Sequence, residues 1–231
     1  MDIRGWGAAL LDLVLPAECA GCAAPPGGGA WCARCAARLG GQSWPAPVDD
    51  LTVLAMGRYS GPLRTALLRY KERGRRDLAA PLAQLLLPGL DQLSDVRQDP
   101  SLTWLVPAPS RPAAARARGG DHVLRLARAI AAERADIRVV PALALARRTR
   151  DSVGLDPAQR VANLEGRLFV RHVPLPPPGS WVVLMDDVVT TGATLRACRS
   201  ALRNAGVRAG SALVLCDATS ARDDHEPLAA S

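Results

Sequence analysis

The stretch Val182-Val183-Leu184-Met185-Asp186-Asp187-Val188-Val189-Thr190-Thr191-Gly192-Ala193-Thr194 decides how this chain reads. Four apolar residues end in two carboxylates, and a threonine-rich loop with one glycine then opens a helical pattern. An unbroken apolar run of this length suits a strand buried on both faces of a parallel sheet. α/β proteins bind ligands at the carboxyl ends of such strands. The helix that follows presents free N–H groups and a partial positive charge at its start. Thr190, Thr191 and Thr194 add hydroxyl donors there, and Gly192 and Ala193 leave the backbone open to close approach. The loop therefore reads as a phosphate cradle, with Asp186 and Asp187 placed to accept from sugar hydroxyls. A phosphorylated ribose would satisfy both halves. A threonine cap beside two solvated aspartates is the blander reading, and it uses less of the pattern than is present.

Outward from this stretch the chain alternates. Leu51–Tyr59, Leu102–Val106, Val139–Leu145, Arg167–Val170, Trp181–Met185 and Ala212–Cys216 read as strands. Gly61–Arg73, Leu78–Leu90, Asp121–Ala135 and Thr194–Ala205 read as helices. Such alternation predicts an α/β domain with a parallel sheet and flanking helices, over residues 48–219. Residues 220–231 read as a disordered polar tail.

Cys19, Cys22, Cys32 and Cys35 form two CxxC pairs nine residues apart. Four thiolates on two tight turns can close a tetrahedral metal site with no open position, so the role would be structural. Zinc is the expected ion; iron fits the same geometry, and two disulfides or a redox CxxC are the competing readings. Residues 1–47 are thus expected to form a small zinc module, ending in a linker at Trp44-Pro45-Ala46-Pro47. Trp6–Leu15 reads as a short amphipathic helix, and Trp31 as packing for the module. Cys198 and Cys216 read as core residues on a helix and a strand.

Composition narrows the classes. The 231 residues are 48% hydrophobic and 22% charged, which excludes a disordered chain. Aromatics are 3%, too few for an extended base-stacking platform. No apolar run is long enough for a membrane span. With no signal segment apparent, the cytoplasm is the expected compartment. The net charge is +7, and 28 of the 29 basic residues are arginine. That balance favours anionic partners: nucleotides, pyrophosphate groups or nucleic acid. Lys71 and Arg73 are positioned in sequence to reach phosphate. His122 could cap a helix or touch ligand, whereas His172 and His225 lie in a loop and the tail.

The motif at 182–194 resembles the PRPP-binding loop of type I phosphoribosyltransferases. Other landmarks are Tyr59-Ser60-Gly61-Pro62, Val106-Pro107-Ala108-Pro109, Arg116-Ala117-Arg118-Gly119-Gly120, Arg147-Arg148-Thr149-Arg150 and Arg160-Val161-Ala162-Asn163-Leu164. With the cysteine module in front, this order is similar to the ComF family of competence-associated proteins. The family commonly has Arg-Gly-Phe-Asn-Gln where this chain reads Arg118-Gly119-Gly120-Asp121-His122. The resemblance implies a type I phosphoribosyltransferase-like fold behind a four-cysteine zinc module. It implies binding of PRPP or a nucleotide with Mg2+, with Asp186 and Asp187 as catalytic candidates and Arg116 and Arg118 near pyrophosphate. It also implies a link to DNA uptake, with single-stranded DNA or a DNA-processing protein as partner. Two alternatives stand beside it: a non-catalytic nucleic-acid- or partner-binding module, and a nucleobase-salvage phosphoribosyltransferase.

Overall fold

The structure is a computed structural model that describes residues 18–26, 29–39, 43–95, 102–146 and 168–219. The expected helix at 6–15, the arginine stretch 147–150, the segment 160–164 and the tail from 220 lie outside those residues. A short helix, α1 (Ala33–Arg38), belongs to the cysteine segment. The strands that follow are β1 (Trp44–Val48), β2 (Leu51–Ala55), β3 (Thr103–Pro107) and β4 (Ile137–Val139). They are completed by β5 (Leu143–Leu145), β6 (Leu168–Val170), β7 (Trp181–Val189) and β8 (Ser211–Asp217). The helices are α2 (Gly61–Glu72), α3 (Ala79–Asp95), α4 (Pro112–Ala117), α5 (His122–Glu133) and α6 (Ala193–Asn204).

Six strands form one sheet in the order β1-β2-β8-β7-β3-β4, and β5 and β6 pair separately. All neighbours in the large sheet are parallel except β1 and β2. β7 is central, so both its faces are covered, as its apolar run demands. Val183 and Met185 face a core made with α2, α3 and α5. Val182 and Leu184 face the opposite core, made with α6 and the small sheet. The order reverses between β3 and β7. From β3 the chain passes through α5 to β4 on one side; from β7 it passes through α6 to β8 on the other. Helices leave these neighbours on opposite faces, which opens a crevice at their carboxyl ends.

Three element readings are corrected. Trp44–Pro47 is not a linker but most of edge strand β1, paired with β2 from Trp44↔Ala55 to Val48↔Leu51. Prolines are tolerated on an edge, and their two-residue spacing turns both missing N–H groups to the same side. Val139–Leu145 is not one strand: Pro141 separates β4 from β5, which lie in different sheets. The strand read as Trp181–Met185 runs on to Val189, so both aspartates are inside β7 and not beyond it. α3 passes through Pro88 and runs beyond its expected end at Leu90 to Asp95. Gly89 sits where a Cβ would stand 2.7 Å from Leu213 and 2.8 Å from Met56, so the helix lies close against the sheet.

Among the described residues, no helix is long and apolar enough to cross a membrane.

Candidate active site and metal centre

Strand alternation sends the two aspartates to opposite faces of the sheet. Asp187 follows Val183 and Met185 toward α2 and α5. There its Oδ2 meets Lys71 Nζ at 2.6 Å and His122 Nε2 at 2.5 Å. Asp186 follows Val182 and Leu184 toward α6, and its Oδ1 accepts from the Asp187 N–H at 2.8 Å. Both carboxylates are buried.

Their surroundings pull them apart. Burial opposes ionisation of Asp187, but the His122 hydrogen bond and the Lys71 charge outweigh it. Its pKa is held well below the usual carboxylate range. Burial raises the Asp186 pKa well above that range, and the Asp187 charge adds to the effect. One aspartate is an anion clamped by two donors; the other favours the neutral acid.

His122 is buried at the start of α5, and Asp121 caps that helix by accepting from Val123 N and Leu124 N. An ionised carboxylate only accepts, so the His122 proton lies on Nε2. Nδ1 then faces the Ser110 hydroxyl at 3.0 Å. The Tyr70 hydroxyl donates to the His122 carbonyl at 2.8 Å. Ser110, His122, Asp187 and Lys71 thus form one network across the crevice between β3 and β7. His122 shares a helix face with Leu126 and Ile130, four and eight residues on, and that spacing is a signal of its burial.

The loop after β7 leaves Thr190 and Thr191 exposed and Gly192 buried. Gly192 adopts φ +74°, and a Cβ there would stand 2.7 Å from Val48, so the β1–β2 turn packs on the loop. Arg196 donates to the Thr191 carbonyl at 2.7 Å. The first N–H groups of α6 open onto the loop, with Thr191 Oγ1 3.4 Å from Ala193 N and Thr194 in the first turn.

The arginines read as phosphate ligands lie on the β3 side. Arg116 is exposed in the last turn of α4. Arg118 pairs with Glu72 at 3.5 Å, the residue after Lys71, and its carbonyl accepts from Arg76. Arg118 reaches the end of α2 that carries Lys71, but neither arginine's named contacts join it to the aspartates.

The four cysteine sulfurs of the N-terminal segment lie within 4.8 Å of one another. Cys22 and Cys32 Sγ are 3.6 Å apart. Tetrahedral zinc with ~2.3 Å bonds would set that separation at about 3.8 Å. None of the cysteines is in a disulfide. Burial resists ionisation of Cys19, yet N–H groups from Cys32, Cys22 and Gly21 bring its thiol to about 6. The set fits a metal such as zinc. Ala20, beside Cys19, is fully buried in the core with Leu63, Ala66 and Leu67. Arg69 donates to the Cys19 carbonyl at 2.8 Å, and Gly21 has no room for a Cβ beside Pro62. The segment is thereby docked on α2. Cys198 and Cys216 are fully buried.

No family model matches the chain, and no curated protein matches it. Among solved structures, a hypoxanthine phosphoribosyltransferase mutant from Trypanosoma cruzi, in a ternary substrates complex, is similar at 17% identity. The match covers 70% of this chain and 75% of that one, with a TM-score of 0.35. An asparagine mutant at an invariant aspartic acid of such enzymes matches at 16% identity, over 70% and 73%, with a TM-score of 0.35. The architecture above stands on its own strand order.

The two aspartates should respond oppositely to neutralisation. Asp187→Asn strands Lys71 and His122 and is expected to cost about 3 kcal/mol of unfolding free energy at pH 7. Asp186→Asn replaces a carboxyl that favours its neutral form with a neutral isostere and should stay within about 1 kcal/mol of the parent, or exceed it. The Asp187 contribution is full above about pH 4, the unfolded value, and is lost as acid protonates it. The Asp186 contribution is full below about pH 4 and is lost as pH rises through its raised pKa. Denaturant unfolding across a pH series measures both; equal losses would contradict the assignment.

Proposed function

We propose that the crevice between β3 and β7 binds a 5-phosphorylated ribose, PRPP or a nucleotide, in a protein of the ComF type. The observation that supports this best is the order along one central strand: two buried carboxylates, then an exposed threonine loop, then a helix start. In this reading Thr190, Thr191, Gly192, Ala193 and Thr194 hold the 5-phosphate by hydroxyl and backbone N–H donors. Asp187 is the acceptor for a ribose hydroxyl, which competes with Lys71, the more exposed of its two partners. Asp186 stiffens the strand end through the Asp187 N–H. Arg116, Arg118 and Lys71 lie on the side where a diphosphate at ribose C1 would sit. Cations there would neutralise a departing pyrophosphate if an acceptor displaced it.

Mg2+ is expected to accompany PRPP. Asp187 already carries a lysine and a histidine, and Asp186 is buried and hydrogen-bonded. The carboxylates do not make a dedicated Mg2+ site, so the ion belongs with the diphosphate. The four cysteines are assigned structural zinc, which closes the segment against α2. The resemblance to the ComF family supports a role in DNA uptake.

Calorimetric titration with PRPP and Mg2+ tests the cradle. The double variant Thr190→Ala, Thr191→Ala truncates two exposed side chains and gives up the Thr191 Oγ1 contact with Ala193 N, a loss of about 1 kcal/mol that leaves the protein folded. Losing two hydrogen bonds to a charged phosphate should weaken binding about 100-fold. Equal affinity, or no binding by the parent, would rule the cradle out. Removing zinc with a chelator should lower the Tm by about 4–8 °C, for about 2 kcal/mol of lost docking. An unchanged Tm in metal-free protein would deny the metal a structural role.

A further inference from the structure

A second feature lies at the opposite end of α2 from Lys71. A cleft of about 400 Å³ opens between the cysteine segment and the start of α2. Arg34 and Arg38 reach it from α1 and Arg64 from α2, and no carboxylate lines it. Among the described residues none of the three arginines pairs with an acid, and the Arg64 guanidinium lies over the Tyr59 ring, 5.5 Å from its centroid. The Arg38 guanidinium lies over Gly61, where a Cβ would stand 3.1 Å from Nη2. That sets a cation on the positive end of a helix whose cap residue, Ser60, makes no side-chain cap bond. Like charges converge here with nothing among the described residues to offset them except the cysteine sulfurs of the floor.

Metal-bound thiolates would supply some negative charge, but Arg34, Arg38 and Arg64 are all exposed to solvent. A planar fork is built for paired hydrogen bonds to phosphate oxygens. Gly61 and Lys71 are ten residues apart on one helix, about 15 Å. The cleft is therefore separate from the aspartate network.

We infer that this cleft, formed by Arg34, Arg38 and Arg64 over the start of α2, is a second phosphate-binding site. Its ligand is a phosphate monoester or the phosphodiester backbone of a polynucleotide. The inference does not depend on the function proposed for the β3–β7 crevice.

The test uses zinc-loaded full-length protein and follows backbone amide signals during titration with inorganic phosphate. Saturable shifts at Gly21 and Gly61 are expected. The variant Arg38→Gln, Arg64→Gln should weaken them at least about tenfold and leave any shifts at Thr191 to Thr194 unchanged. Repeating the titration with ribose 5-phosphate and with an oligothymidylate lacking a terminal phosphate tells the two sources apart, and tighter binding of either supports the site. Absent shifts at Gly61, or shifts equal in the variant, would overturn it. Zinc content is measured alongside: a glutamine variant that loses its zinc would assign the arginines to the metal and also overturn it. Arg38→Lys, Arg64→Lys keeps the charge and tests the fork alone, with weakened binding expected at full zinc occupancy.

Discussion

A buried aspartate held by a lysine and a histidine organises this molecule. Asp187 sits on the central strand, Lys71 on α2 and His122 on α5, and all three meet at one carboxylate oxygen. A charge in that position is costly unless fully paired. The pairing therefore fixes how α2 and α5 lie on the sheet. It also explains why neighbouring carboxylates have opposite characters: the pleat gives one of them both donors and leaves the other to the apolar side of α6.

α2 serves two parts of the structure. Its last turn brings Lys71 to the aspartate and Glu72 to Arg118. Its first turn packs against Gly21, and Arg69 holds the Cys19 carbonyl. The cysteine segment contributes Ala20 to the same core that covers β7. A small segment with little core of its own gains stability from a larger one, and a metal would fix the loop shape that docking needs.

The sequence made the central features legible because they follow simple rules. A four-residue apolar run had to be a buried strand, and CxxC pairs had to be near one another. The loop between β7 and α6 could be placed because glycine and threonine have definite uses at a helix start. Other features depend on contacts that no local pattern announces. Pro45 and Pro47 suggest a linker until β2 is seen to need an antiparallel neighbour. Pro141 marks a break whose consequence, two separate sheets, is tertiary. His122 was legible only in part: its spacing with Leu126 and Ile130 indicates burial, but its partner Asp187 is 65 residues away. The pairing of Lys71 with the same oxygen is likewise set by how α2 crosses the sheet end.

Carboxyl carbon chemical shifts of Asp186 and Asp187, followed by NMR through a pH titration, test the central claim most directly. The account predicts that Asp187 stays ionised to the lowest pH at which the protein is folded, while Asp186 takes up its proton well above the ordinary carboxylate range. Two aspartates titrating together near pH 4 would show that neither the clamp on Asp187 nor the apolar setting of Asp186 exists, and would contradict it.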